Sequence, residues 1–250
     1  MSINIVIANQ KGGVGKTTSA TSIAHGLALR SRRVLLVDFD PQGQCATTLG
    51  INQEAGVFNA LVNTRSDIHQ WVRETNRTGL SLLPGDRSTA TAQIVINAEN
   101  RPIDSIRQLF KPLGREYDYI IFDTAPSVGG IQERAIFAAD MVLIPTATEF
   151  LALDGLAQMM ELLTTLRERH NWNGKLAGIL PTFYDEQTSE SREALAELKT
   201  HFSESVLPPI HRATVLRECP AEGKTIFEMS PASRSSREYE ELSREIVKLS

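Results

Sequence analysis

Apolar residues recur along this chain in short unbroken runs, separated by stretches with helical spacing. The runs are Ile3–Ala8, Val34–Asp38, Leu80–Leu83, Tyr119–Asp123, Met141–Pro145 and Leu176–Thr182. Runs without alternation belong to strands buried on both faces. Helical spacing marks about Lys16–Arg30, Ile103–Lys111, Ile131–Ala139, Leu151–Arg169, Glu190–Phe202 and the terminal Arg234–Leu249. Such alternation predicts an α/β fold: a mostly parallel, twisted sheet flanked by crossover helices. A further run, Val206–Ile210, contains Pro208 and Pro209 and is expected at a sheet edge or as a loop. The stretch from Asn52 to Ser105 is the least regular, with room for extra helices or a mobile insertion. Without repeats, low-complexity tracts or a Pro/Gly/Ser-rich linker, residues 1–250 read as a single domain.

Composition narrows the function classes. Hydrophobic residues make up 41% and charged residues 22%, which is ordinary for a globular protein and excludes disorder. A net charge of −4 gives no global attraction to nucleic acid or anionic membrane, so any such binding needs a local patch. The two cysteines, Cys45 and Cys219, lack metal-site spacing and are expected to be small buried or half-buried residues in a reducing cytoplasm. No signal peptide is expected. Asp140 interrupts the best candidate for a membrane span, Ala135–Ala147.

The strongest chemical signal lies between the first predicted strand and the first predicted helix. It is Gly13-Val14-Gly15-Lys16-Thr17-Thr18, preceded by Lys11 and Gly12. Glycines let the backbone curl with its N–H groups inward, and the helix start adds partial positive charge. Together they form an anion nest sized for a β-phosphate. In that nest Lys16 reaches the β- and γ-phosphates, Thr17 offers its hydroxyl to Mg²⁺, and Thr18 contacts the α-phosphate. The pattern G-x-x-x-x-G-K-[ST] is broken at its first position by Gln10, whereas K-G-G-x-G-K-[ST]-[ST] is matched throughout. The fold is therefore expected to be of the P-loop NTPase type. Lys11, five residues before Lys16, lies at the mouth of the loop. A second cation there suits a phosphate bound to another subunit; the plain alternative is an exposed loop lysine.

Two strands end in carboxylates. Asp38 and Asp40 alternate at the end of Val34–Pro41 and are expected to share a face beside the phosphates. One can orient the metal's water shell while the other holds the attacking water in line with the γ-phosphate. Tyr119–Pro126 presents Asp123 in the same way, as a carboxylate that supports Mg²⁺. The expected metal set is thus Thr17, Asp38 and Asp123. The following Ser127-Val128-Gly129-Gly130 is expected to be either a γ-phosphate-sensing switch or a plain turn.

Lys11 to Thr18, Asp38-Phe39-Asp40-Pro41-Gln42-Gly43 and Asp123-Thr124-Ala125-Pro126 resemble the ParA/MinD group of deviant Walker-A ATPases, and within it the short ParA partition ATPases. Less distinctive likenesses at 149–155, 180–185 and 216–224 extend the resemblance nearly end to end. The resemblance implies a slow Mg²⁺-dependent ATPase that forms a sandwich homodimer around ATP, with Lys11 contacting the partner's nucleotide. It also implies that the dimer binds DNA non-specifically, associates with the nucleoid, and is stimulated by a ParB-like or other cargo adaptor. By the same resemblance Gly12, Gly13, Val14, Gly15, Lys16, Thr17 and Thr18 cradle the nucleotide. Asp40 positions the hydrolytic water, Asp123 supports Mg²⁺, and Pro181 and Thr182 lie near the adenine. No helix-turn-helix precedes the first strand, so operator binding is not expected. Arg192, Arg212, Arg217 and Lys224 are the candidate DNA contacts, with Lys199, Arg234 and Arg237 nearby. Glu193, Glu197, Glu218, Glu222 and Glu238 interleave them, so no basic stripe forms. The chain departs from the family at Gln187 and near Val215, where arginines are frequent.

Three rivals share the phosphate loop. A MinD-like membrane-cycling ATPase needs a basic amphipathic C-terminal helix. Here Tyr239, Leu242, Ile246 and Val247 form a stripe, but Glu240, Glu241, Arg244, Glu245 and Lys248 around it are net acidic. The stripe is therefore expected to pack on the body of the domain, with no membrane partner. An iron–sulfur carrier needs cysteine pairs that Cys45 and Cys219 do not supply. A P-loop metabolic enzyme that activates a carboxylate is the third alternative, separable by substrate-dependent ATP turnover.

Overall fold

A computed structural model of the chain describes residues 2–63, 66–127, 130–149 and 152–250. The strands are β1 (Ile3–Ile7), β2 (Val34–Asp38), β3 (Arg73–Glu74), β4 (Leu80–Leu83), β5 (Tyr119–Asp123), β6 (Met141–Ala147) and β7 (Lys175–Thr182). They form one seven-stranded sheet in the order β3-β4-β2-β5-β1-β6-β7. All neighbours are parallel except the edge pair β3–β4. The helices are α1 (Lys16–Ala28), α2 (Gln44–Thr48), α3 (Gly56–Val62), α4 (Ser88–Ala98), α5 (Ser105–Phe110) and α6 (Gly130–Ala138). After them come α7 (Ala152–His170), α8 (Ser189–Phe202), α9 (Thr214–Glu218), α10 (Ile226–Met229) and α11 (Arg234–Leu249).

The unbroken apolar runs do what burial on two faces requires. Val6, Leu35, Val37, Ile120 and Phe122 point into one core, while Ile5, Ile7, Val34, Leu36 and Ile121 point into the other. The first core holds an aromatic cluster: Phe39 and Phe122 lie 5.5 Å apart, and Phe110 and Phe122 5.2 Å. The second is closed by α1 and α11.

The structure decides between the alternatives left open. Val206–Ile210 runs as a loop beside the sheet edge, as one of its expected readings had it: Val206 makes one isolated bridge to Ile179, and Pro208 and Pro209 have no N–H to extend a ladder. The 52–105 stretch holds the extra helices α3 and α4, the first of its two expected readings, and the unexpected β3 beside β4. Helix α4 buries Thr89, Ala92 and Ile96, two of them small or polar, so its inner face lacks apolar contrast. α5 is shorter than expected and continues as a 3₁₀ turn through Lys111–Arg115, with a proline near its start. Val128 and Gly129 of the expected switch, and Phe150 and Leu151 of the 149–155 stretch, lie outside the described residues. Among the described residues no helix is long and apolar enough to cross a membrane.

The C-terminal third is fastened to the helix that follows the phosphate loop. Tyr239, Leu242 and Ile246 of α11 are buried with Ile23 and Leu27 of α1, and the Tyr239 and Ser19 hydroxyls lie 3.2 Å apart. Gly26 permits this approach, since a Cβ there would meet the Ser243 hydroxyl at 2.3 Å. His25 Nδ1 lies 2.6 Å from the Thr225 hydroxyl, and Thr225 forms a capping box with Glu228. Glu228 accepts from Arg77 Nε and Nη2 at 3.0 and 2.7 Å. Arg77 also donates to the carbonyls of Leu49 (2.8 Å) and Gly223 (3.0 Å). A buried guanidinium so fully satisfied holds α2, α10 and the loop at Gly223 together.

Burial holds the His25 imidazole down at about 4, against an ordinary 6.5. The unfolded chain therefore takes up the proton first, and the stability tied to neutral His25 is complete above pH 6.5 and lost as pH falls toward about 4. The loss should amount to about 3 kcal/mol. Urea unfolding across that window should show a shallower acid decline in His25→Asn than in the wild type; equal slopes would contradict it.

Candidate functional site

The phosphate loop is shaped by its glycines and pinned at both ends. Gly13 (φ 72°) and Gly15 (φ 84°) adopt left-handed backbone that a side chain would strain. Helix α1 starts at Lys16 with no acidic residue in its first turn, leaving its N-terminus open to an anion. Asn9 Nδ2 donates to the Pro145 carbonyl at 2.8 Å and Asn9 Oδ1 accepts from Lys11 N at 2.9 Å, tying the loop's start to β6. The Thr182 hydroxyl donates to the Val14 carbonyl at 2.9 Å, tying its middle to β7. Lys16 Nζ donates to the Lys11 carbonyl at 3.0 Å. Burial lowers the Lys16 pKa, with Asp123 and Asp40 opposing the shift.

β2 and β5 are adjacent, and their register sets Asp38 directly beside Asp123. Both are fully buried. Asp38 Oδ1 accepts from Asp40 N (3.1 Å) and Oδ2 from Cys45 N (3.0 Å), so this carboxyl also shapes the loop that carries Asp40. Asp123 Oδ2 accepts from the Cys45 thiol at 3.4 Å, and its Oδ1 has no hydrogen-bond partner among the described residues. Burial, reinforced by Asp123, lifts Asp38 well above the usual carboxylate range. Burial also lifts Asp123 to about 6, with the Thr17 hydroxyl and Lys16 pulling the other way. Two like carboxyls in a dry corner, one with an unsatisfied oxygen, call for a cation. The hard oxygen donors of Asp123, Asp38 and Thr17 fit Mg²⁺.

The remaining space is two joined cavities. One, of about 580 Å³, is lined by Gly13, Lys16, Thr17, Asp40 and Pro126. The other, of about 370 Å³, shares Gly13, Gly15, Thr18 and Phe183 with the first and is walled by Ile210, His211, Leu216 and Tyr239. Thr182 lines the second cavity. Pro181 is buried in β7, in register with Thr146 of β6, and is not part of either wall. His211 has no local signal, Leu216 only the weak likeness of the 216–224 stretch, and Tyr239 is visible in the sequence only as part of an amphipathic stripe. Cys45 and Cys219 are both free and buried.

The four arginine and lysine candidates do not behave alike. Arg192 donates to the Glu186 carbonyl at 2.8 Å, and Arg212 pairs with Glu149 at 2.9 Å. Arg217, singled out in the sequence for DNA, lines the second cavity beside the phosphate loop. Lys224 is exposed.

The profile of a family described as AAA domain matches residues 2–176. The chromosome partitioning protein ParA of Myxococcus xanthus is 38% identical over 98% of this chain and 87% of its own length. The chromosome-partitioning ATPase Soj of Thermus thermophilus is 35% identical over 97% of this chain and 94% of its own. Among solved structures, a cobyrinic acid a,c-diamide synthase from Mycobacterium smegmatis with bound ATP analog and magnesium superposes with a TM-score of 0.84 at 28% identity. That match covers 99% of this chain and 95% of the other.

Asp123→Asn removes one of two facing buried carboxyls. Without metal the variant should melt a few degrees above the wild type near pH 7, and it should lose the extra stabilisation that Mg²⁺ adds to nucleotide. Thermal unfolding with and without Mg²⁺ checks both. A variant that melts lower without metal, or that gains as much from Mg²⁺ as the wild type, would contradict this account of the pair.

Proposed function

Because the chain belongs to the ParA/Soj family of partitioning ATPases, we propose that it is an ATP-driven positioning switch whose dimeric ATP state binds DNA without sequence preference. A partner carried by the cargo stimulates hydrolysis and releases it. ATP and Mg²⁺ are its cofactors. The observation that carries this reading is the presence of two lysines on one loop, with Lys16 bonded to the Lys11 carbonyl at 3.0 Å. Lys16 is buried, whereas Lys11 is half exposed. One nest does not need both cations, so Lys11 serves the nucleotide of a second copy.

The placement of each group supports a division of labour. The backbone from Gly12 to Thr18 cradles the phosphates, and Lys16 exchanges the Lys11 carbonyl for the β- and γ-phosphate oxygens. Thr17 and Asp123 hold the metal, and Asp38 supports it while fixing the Asp40 loop. Mg²⁺ held by these residues would supply positive charge against the phosphates. Asp40 Oδ1 is used by Gln42 N at 2.9 Å, which leaves Oδ2 to orient the attacking water. The task is one of positioning, so a slow basal rate is expected until a partner completes the site. The α11 stripe is buried against α1, which supports the reading without a membrane partner.

The test is binding to long DNA of arbitrary sequence with ATP, with ADP and without nucleotide. Wild type should bind only with ATP. Asp40→Ala should keep that binding while hydrolysing about 100-fold more slowly, and Lys11→Ala should lose it. If ATP dimers form but bind no DNA, the DNA step is wrong, and carboxylate-dependent ATP turnover becomes the alternative to examine.

A further inference from the structure

We propose that Arg217 is a nucleotide-binding residue that closes the base end of the site together with Phe183. The inference rests on the reading above, that ATP occupies the two joined cavities. Phosphates belong in the larger one, where Gly13, Gly15, Lys16 and Thr18 supply the anion-binding groups. The nucleoside must then leave past Thr18, into the cavity that shares Thr18, both glycines and Phe183. Its wall of Ile210, Leu216, Pro220 and Tyr239 suits a flat base.

Two basic side chains, His211 and Arg217, line this slot, and a third, Arg212, lies 6.0 Å over the Phe183 ring while paired with Glu149; of these Arg217 is uncommitted among the described residues. His211 is held by Glu238, with Nδ1 to Oε1 at 2.6 Å and the backbone N–H to Oε2 at 3.0 Å. Its other ring nitrogen lies 2.6 Å from Arg234 Nη2. Arg217 is exposed and makes no ion pair or side-chain hydrogen bond with any described residue. Its backbone is nonetheless fixed, because the short helix α9 is anchored by buried Leu216 and by Cys219 just beyond its end. A planar cation at the rim of an apolar slot is a stacking partner for a base.

Phe183 supplies the aromatic face. Its φ of 54° is unusual for a bulky residue and carries strain. Hydrogen bonds on its flank hold it there: Tyr184 N to the Ile210 carbonyl at 3.1 Å and Arg212 N to the Tyr184 carbonyl at 2.9 Å. The ring is thereby set against the phosphate loop, where a Cβ on Gly15 would come within 3.8 Å of it. Arg217 also shares its segment with Lys224, whose N–H bonds the Cys219 carbonyl at 3.1 Å. Nucleotide contact at Arg217 therefore bears on the same stretch of chain that presents an exposed lysine.

Equilibrium titration with fluorescent analogues of ATP and ADP tests the proposal on wild type, Arg217→Gln and the distant charge control Arg115→Gln. Arg217→Gln should bind both nucleotides about tenfold more weakly, by the same factor because both carry the same base. At saturating ATP its kcat should stay within about twofold of wild type while KM rises about tenfold. Arg115→Gln should match the wild type, and circular dichroism should show all three folded. If Arg217→Gln keeps wild-type nucleotide affinity and loses DNA binding, the proposal is overturned and Arg217 returns to the DNA surface. Failure of the wild type itself to bind either nucleotide would overturn the ATP reading on which the proposal rests.

Discussion

Two carboxyl groups side by side, both sealed from water, set the terms for the rest of this structure. Parallel pairing of β2 with β5 puts Asp38 opposite Asp123 at the strands' carboxyl ends. Neither a surface position nor a neutralising arginine relieves them. Burial, reinforced by the neighbouring carboxylates, pushes both toward the protonated form, and a bound cation lets both ionise at modest cost. The phosphate loop, with Thr17 at the start of α1, stands over the same strand ends. Metal, phosphate and the Asp40 loop therefore converge on one corner, and a change in any of them is felt by the others. Asp38 makes this coupling physical, since its two oxygens accept from the backbone of Asp40 and Cys45.

The sheet's parallel strands and the phosphate corner were largely legible in the sequence. Unbroken apolar runs ending in Asp38 and Asp123 have no other stable place than the middle of a parallel sheet. The glycines at 13 and 15 announce a backbone that other residues do not adopt. Other parts left no such mark. α4 escaped because Thr89 and Ala92 give its buried face little contrast, and β3 because two residues, Arg73 and Glu74, carry no periodicity. Cys45 reads as an ordinary small residue until the fold sets its thiol 3.4 Å from Asp123. The base cavity is assembled from β7, the 208–211 segment, α9 and α11, which are far apart in the chain. Arg217 and Tyr239 become neighbours of the phosphate loop only through that assembly.

Past β7 the chain acts less as a scaffold than as a cover for the nucleotide site. α11 is bound to α1 by buried apolar residues and by the contact between Tyr239 and Ser19. Arg77 and Glu228 link that cover to the end of α2, which follows the Asp38–Asp40 strand end. A shift of the α2 segment on nucleotide binding thus has a short hydrogen-bonded route to the α9–α10 region. This arrangement suits a protein whose output is a change of surface and not a chemical product.

The central claim, that ATP with its metal is what brings two copies together, is tested most directly by sedimentation velocity of the wild-type chain. Three conditions suffice: ATP with Mg²⁺, ADP with Mg²⁺, and ATP with the metal chelated. The account predicts a dimer in the first and monomers in the other two. A monomer under all three conditions, or the same dimer under all three, would contradict it.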